Sequence, residues 1–101
     1  MKIEEIGKDV AIRWTVYVNG ETRDLRDLDL SLVLVSPGGT ERVLPFTIKG
    51  DNHNEVWAKF YGTQQKYVGL YTLILYANRG RKGQSKLSAC NFLKLVPECK
   101  C

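Results

Sequence analysis

The sequence predicts an all-β protein, an immunoglobulin-like antiparallel β-sandwich of about seven strands. Three observations lead to this prediction. Apolar and polar residues alternate with a period of two along most of the chain, turn signals separate these runs, and no run keeps a helical period for the roughly ten residues that a helix needs. Short strands at this spacing are typical of a two-sheet sandwich, with a small barrel as the alternative.

Each strand is predicted from its own run of alternating residues. The first long run ends at Asn19-Gly20, a dipeptide typical of tight hairpin turns. The fourth run contains Pro45, which cannot donate to a strand ladder, so we expect an edge strand or a bulge there. The predicted strands are residues 3–6, 10–18, 28–35, 41–49, 56–61, 70–77 and 85–96.

The length of 101 residues predicts a single domain. We assign this domain to residues 1–96 and predict that residues 97–101 are a C-terminal tail that begins a linker to further chain. A hydrophobic fraction of 44% excludes a disordered tail, and no apolar run approaches the roughly 20 residues that span a bilayer. We therefore expect no membrane contact, and the acidic residues at the N-terminus predict a chain without a secretory leader that is cytoplasmic when synthesised.

Candidate catalytic and metal-ligating residues are few, and we expect neither an enzyme nor a cofactor. His53 is the one histidine, and it lies in a polar turn where a solvated role is the simpler interpretation. Cys99 and Cys101 could supply two metal ligands, but a structural zinc site needs four. Cys90 is expected to pack as a small hydrophobe. We predict no bound metal.

A crowded acidic segment offers a further alternative. Asp24, Asp27 and Asp29 could bind calcium or perform acid–base chemistry, but Arg23 and Arg26 are interleaved with them. Mutual neutralisation of charge on a loop is the simpler explanation, and the segment lacks the glycine and closing glutamate of an EF-hand.

Two sets of residues are candidates for contact with a partner. Arg79, Arg81, Lys82 and Lys86 would form a cationic hairpin tip. This tip is either a solvated turn or a contact for an acidic partner surface or a nucleic-acid backbone. A net charge of +4 is too small to predict a nucleic-acid partner. Aromatic residues that fall opposite the apolar faces of their strands indicate either a second buried face or an exposed aromatic surface. They are Tyr17, Trp57, Tyr61 and Tyr76, of which we select Trp57 and Tyr61 as contact candidates.

The order of these features resembles one family over almost the whole chain: the N-terminal β-sandwich domain of prophage-type tail, fibre or baseplate proteins carried by gut Bacteroides and their relatives. The resemblance is one of hydrophobic residues, glycines and turns, with no catalytic signature. The residues that carry it are Ile6-Gly7-Lys8-Asp9-Val10, Ile12-Arg13-Trp14, Val16, Asn19-Gly20, Asp24-Leu25, the Leu28 to Leu34 strand, Phe60-Tyr61-Gly62, Gln64-Gln65-Lys66, Gly69, Tyr71-Thr72-Leu73, Cys90-Asn91-Phe92, Leu95-Val96-Pro97 and Cys99.

This resemblance implies a structural role. Such domains anchor a longer chain to a neighbouring virion component, so we expect a non-enzymatic attachment module with protein partners in a phage-tail-like assembly, with a homo-oligomer as one arrangement. The resemblance further implies that Trp14 belongs to the core. The alternative is a cell-surface adhesion or carbohydrate-binding module that uses Trp57 and Tyr61 as an aromatic platform.

Overall fold

Ten strands and one short 3-10 helix run through residues 1–98, the part of the chain that the computed structural model describes. The predicted all-β fold is confirmed. Cys99 and Cys101 lie outside the described residues, so the predicted tail is described only at its beginning. The strands are β1 (Lys2–Glu5), β2 (Val10–Thr15), β3 (Tyr17–Val18), β4 (Glu21–Thr22), β5 (Leu30–Val35), β6 (Glu41–Leu44), β7 (Phe46–Lys49), β8 (Glu55–Phe60), β9 (Gly69–Ala77) and β10 (Ser85–Val96); the 3-10 helix is Gly62–Gln64.

The strands form a sandwich of two sheets with a small ribbon attached. The larger sheet has the order β1-β10-β9-β5-β6, the smaller sheet has the order β2-β8-β7, and β3 pairs with β4. All pairs are antiparallel except β1 with β10, which is parallel. The predicted β-sandwich is thus confirmed, with one parallel pair that the sequence did not predict.

The core lies between the two sheets and is built mainly from the inward-facing residues of the strands in both sheets. Trp14 packs against this core and is only partly buried, so it lies at the margin of the core rather than within it. Burial of this apolar surface is the main favourable term in folding. Its buried members are Val10, Ile12, Val16, Leu25, Leu32, Leu34, Leu44, Val56, Phe60, Tyr71, Leu73, Leu75, Leu93 and Leu95.

Pro45 divides the predicted strand 41–49 into two strands in different sheets. β6 forms one edge of the larger sheet, and β7 forms one edge of the smaller sheet. Pro45 lies between them, where its missing N–H interrupts the ladder and the chain crosses from one sheet to the other. The expected edge position is confirmed for both halves, whereas the expectation of one continuous strand is wrong.

The predicted strand 10–18 is interrupted at Val16, which is fully buried and donates its backbone N–H to the carbonyl oxygen of Asn54 at 2.9 Å. The two residues after Val16 form β3, which pairs with β4 across the predicted turn. Asn19 and Gly20 both have positive φ angles, 54° and 80°. Positive angles at both central residues define the type I′ hairpin turn, so this predicted turn is confirmed.

A network of hydrogen bonds joins the turn after β1 to the 3-10 helix. The Gly7 N–H donates to Gln65 Oε1 at 2.6 Å, and Gln65 Nε2 donates to the Lys8 carbonyl oxygen at 2.6 Å. The Gly62 N–H donates to Asp9 Oδ1 at 2.8 Å. A Cβ atom at Gly62 would overlap the Gly7 carbonyl oxygen, so the two backbones approach closely here.

Candidate functional site

The outer face of the smaller sheet presents a tryptophan at the centre of its middle strand. Alternation along β8 places Val56 and Phe60 in the core, so Trp57 points outward. Register places Arg13 of β2 and Thr47 of β7 on either side of it. Trp57 is therefore held between two neighbouring strands and available from the outside of the sandwich.

Arg13 covers one part of the Trp57 ring. The guanidinium carbon of Arg13 lies 4.1 Å from the ring centroid, which is cation–π geometry. The Trp57 Nε1 atom donates to Glu55 Oε1 at 3.4 Å. These two contacts fix the orientation of the indole and explain why Trp57 is half-buried on an outer face.

A depression of about 490 Å³ lies over this face and contains both aromatic contact candidates. Trp57 forms part of its lining, and Tyr61, whose side chain is 46% exposed, forms another part. Pro45 and Phe46 add apolar surface from the crossing between the sheets. Arg13 also lines the depression but was not among the predicted contact residues. Its position on the outward face of its strand was the signal that could have identified it.

The four basic candidates lie elsewhere, on the turn between β9 and β10 and at the start of β10. Within this turn, the Arg81 N–H donates to the Asn78 carbonyl oxygen at 3.0 Å, and the Gly80 N–H donates to Gln84 Oε1 at 2.7 Å. The Asn78 N–H donates to the Asp29 carbonyl oxygen at 2.8 Å, which attaches the turn to the loop before β5. The predicted hairpin is thus present and is anchored at its base.

The fold brings acidic residues to two of these four cations. Arg79 pairs with Glu41 at 3.5 Å, and Arg81 pairs with Asp29 at 2.8 Å. The segment has no acidic residue of its own, but its charge is partly neutralised by distant parts of the sequence. Lys82 and Lys86 are exposed. Arg79 lines a cavity with Glu41 and Tyr76, which is separate from the depression that contains Trp57 and Tyr61.

Two aspartates of the acidic segment before β5 form ion pairs with the arginines interleaved with them. This agrees with the interpretation that these charges neutralise one another. Arg26 pairs with Asp24 at 2.5 Å, and Arg23 pairs with Asp27 at 3.4 Å. The hydrogen bond from the Arg26 side chain holds the pKa of Asp24 well below its usual range. Among the described residues, no group of three or more histidine, cysteine, aspartate or glutamate side chains could hold a metal ion.

His53 and Cys90, the remaining candidates for catalysis or metal binding, occupy positions that serve the fold. His53 has a positive φ of 51° in the turn before β8, and its carbonyl oxygen accepts the Leu25 N–H at 2.9 Å. Cys90 is half-buried and packs against the core as expected, and burial raises the pKa of its thiol. The other outward aromatic residues divide in position: Tyr17 is 54% exposed, whereas Tyr76 is half-buried.

Comparison with protein family models and with curated proteins identified no relative of this chain. No protein family model matches the chain, and no curated protein matches it significantly. Among residues 1–98, no helix is long and apolar enough to cross a membrane.

Proposed function

We propose that the protein is a non-enzymatic attachment module of a phage-tail-like assembly, in a fibre or baseplate, and that it acts through protein–protein contacts. The observation that carries this proposal is the outer face of the smaller sheet, where Trp57, Tyr61 and Arg13 line one depression. Tryptophan, tyrosine and arginine are the residue types most enriched at the energetic centres of protein interfaces. The tail-like assembly itself is proposed from the sequence resemblance.

The order of strands along the chain supports an immunoglobulin-like version of the sandwich. In immunoglobulin domains, strands B, E and D share one sheet and strands C, F and G share the other. The smaller sheet here joins β2, β8 and β7, and the larger sheet joins β5, β9 and β10. Along the chain, these six strands come in the order β2, β5, β7, β8, β9, β10. This order matches that of the immunoglobulin strands B, C, D, E, F and G.

Electron microscopy of labelled particles tests the proposal. Antibodies raised against the purified protein are expected to label the tail or baseplate of particles released by the source cells. A Trp57→Ala variant is expected to be made and folded but missing from the particles. Tyr17→Ala, which removes an exposed aromatic ring from the β3–β4 hairpin, is the matched control and should be incorporated normally. Label confined to the cell envelope would contradict the proposal.

Carbohydrate binding is the second candidate, and the placement of Trp57 and Tyr61 in one depression favours it. A titration of intrinsic fluorescence with oligosaccharides tests this alternative in a Trp14→Phe background, where Trp57 is the remaining tryptophan. A saturable change in Trp57 emission that Tyr61→Ala weakens would support the carbohydrate module. An unchanged spectrum would count against it.

The mass of the protein in solution tests the expected homo-oligomer. Light scattering over a wide range of concentration, with and without reductant, separates a specific oligomer from one linked by cysteines. A trimer or larger species that reductant leaves intact would support an assembly component. A strict monomer would show that this chain does not assemble with itself.

A further inference from the structure

β2 is the least protected of the four edge strands that residues 1–98 form in the two sheets of the sandwich. The edges β1, β6 and β7 are each four residues long, and β7 follows directly after Pro45. β2 is six residues long, contains no proline and carries one charged residue, Arg13. Short strands, charges and prolines are the features that protect sheet edges from pairing, so β2 is the edge most open to a further strand.

The backbone groups of β2 that face the open edge follow from its pairing with β8. Val16 donates to the carbonyl oxygen of Asn54, its opposite residue in the same register. Hydrogen-bonded and non-hydrogen-bonded pairs alternate along an antiparallel ladder, so Trp14 also exchanges bonds with β8. The N–H and C=O groups of Ala11 and Arg13 therefore point away from β8. Within the described chain, no strand pairs with β2 on that side.

An apolar slot lies directly beside this edge, where the space between the sheets opens. Its volume is about 260 Å³, and Leu73, Cys90 and Phe92 of the larger sheet form much of its lining. Residues 11–14 of β2 line it consecutively, so the slot runs along the strand edge rather than along one face. A cavity of roughly 150 Å³ holds benzene, so this slot has room for an aromatic or a branched aliphatic side chain.

The rim of the slot is positively charged. Lys2 and Arg13 line it, and no carboxylate occurs among its described lining residues. The ion pairs found in residues 1–98 involve neither of these two cations. Complementary charge guides association and suppresses incorrect partners, so acidic side chains fit this rim.

We propose that β2 and the slot form an acceptor site for an extended strand of a partner protein, with alternating apolar and acidic residues. The added strand pairs with the backbone of Ala11 and Arg13, places its apolar side chains over Cys90 and Phe92, and directs its carboxylates toward Arg13. Main-chain pairing combined with pockets for alternate side chains is how strand addition achieves affinity and specificity. This inference rests on the proposed function, because it gives the chemistry of the partner that the attachment module holds.

A synthetic peptide tests the acceptor site. The probe is a fluorescent peptide of about seven residues, Thr-Val-Glu-Val-Glu-Val-Thr, the length of an ordinary strand. A control peptide, Val-Val-Val-Glu-Glu-Thr-Thr, has the same composition without alternation. We expect saturable anisotropy for the alternating peptide only. In a variant with Cys99→Ser and Cys101→Ser, we also expect the bound peptide to slow alkylation of Cys90, which lines the slot.

Three variants of the protein locate the binding. Arg13→Glu reverses the charge at the open edge and is expected to weaken binding about tenfold, an effect of the size expected for a charge at an interface. Lys49→Glu reverses an exposed cation on the opposite edge strand, β7, and should leave binding unchanged. Ala11→Pro removes one edge N–H and should abolish binding. If Ala11→Pro does not fold, Arg13→Glu and Lys49→Glu still decide the question.

Several results would overturn the inference. These are equal binding of both peptides, no protection of Cys90, or equal losses for Arg13→Glu and Lys49→Glu. A dimer that Arg13→Glu dissociates would show that the edge is occupied by a second copy, which would also overturn the assignment to a different protein. If the peptide does not bind but antibodies label the particles, this inference alone is wrong. If the peptide binds but the particles are not labelled, the tail-assembly proposal alone is wrong.

Discussion

Replacing Gly62 with alanine tests the close contact between the 3-10 helix and the turn after β1. An added Cβ atom would lie 2.5 Å from the Gly7 carbonyl carbon and 3.1 Å from the Lys8 nitrogen, whereas ordinary contacts begin at 3.4 Å. The obstructing atoms belong to the backbone, so no side chain can rotate away. The φ angle of Gly62 lies outside the left-handed region, so steric overlap alone opposes the substitution.

The magnitude follows from the contacts that must change. Overpacking of a tight site costs about 1–3 kcal/mol, and each displaced hydrogen bond costs about 1 kcal/mol. Separation of the two backbones weakens the bond from Gly62 to Asp9 and those between Gln65 and the Gly7–Lys8 turn. We therefore expect a loss of about 3 kcal/mol, a large part of the roughly 5–15 kcal/mol that stabilises a typical domain.

Thermal unfolding followed by circular dichroism, with urea titration as a second measurement, checks this value. For a domain of this length, a loss of about 3 kcal/mol lowers Tm by about 12–24 °C. Gly38→Ala is the matched control, because a Cβ there meets no atom within 4 Å, and its stability should stay within about 0.5 kcal/mol of wild type. If both variants melted together with the wild type, the proposed backbone contact would be refuted.

Three further predictions concern the turns and the core. Gly20→Ala should cost about 1 kcal/mol, because alanine is strained at a φ of 80°, while Gly20→Asn should be milder, as urea titration will show. Arg81→Ala with Lys82→Ala should lower stability by at most about 1 kcal/mol in urea titration, because surface ion pairs contribute little; a larger loss would contradict the exposed position of this hairpin. Burial raises the pKa of Tyr71, whose hydroxyl donates to the Tyr67 carbonyl oxygen at 2.6 Å. Above pH 10 the unfolded state releases this proton before the folded state does, so wild type should lose stability faster than Tyr71→Phe as pH rises; parallel pH profiles would contradict this.

The strands were predictable from the sequence because alternation and turn residues are local properties. The run ending at Ala77 and the run from Ser85 to Val96 are strands with those limits, and Asn19-Gly20 forms its turn. The interruption at Val16 was not predictable, because it depends on a hydrogen bond to Asn54 from a distant part of the chain. Residues 1–98 contain ten strands rather than about seven for three reasons. The chain is interrupted at Val16, Pro45 separates two strands, and β4 was too short to predict.

The candidate site was predictable residue by residue but not as a surface. Alternation correctly indicated that Trp57 lies opposite the core face of β8 and that Tyr61, the residue after this strand, is exposed. Their common depression depends on the register of three strands, which also brings Arg13 over the indole. The basic hairpin was predicted from the positive charges of its own residues. Glu41, the ion-pair partner of Arg79, lies in β6, which is distant in sequence, so this pairing was not predictable.

The parallel pairing of the first and last strands has a mechanical consequence. β1 and β10 run side by side in the same direction, with Lys2 opposite Leu93 and Glu5 opposite Val96. A force that pulls residue 2 and residue 96 in opposite directions acts along both strands, so it shears their shared hydrogen bonds together. An antiparallel pair loaded from one end would instead open one bond at a time. Tension between residues 2 and 96 is therefore resisted by all the bonds of this pair at once.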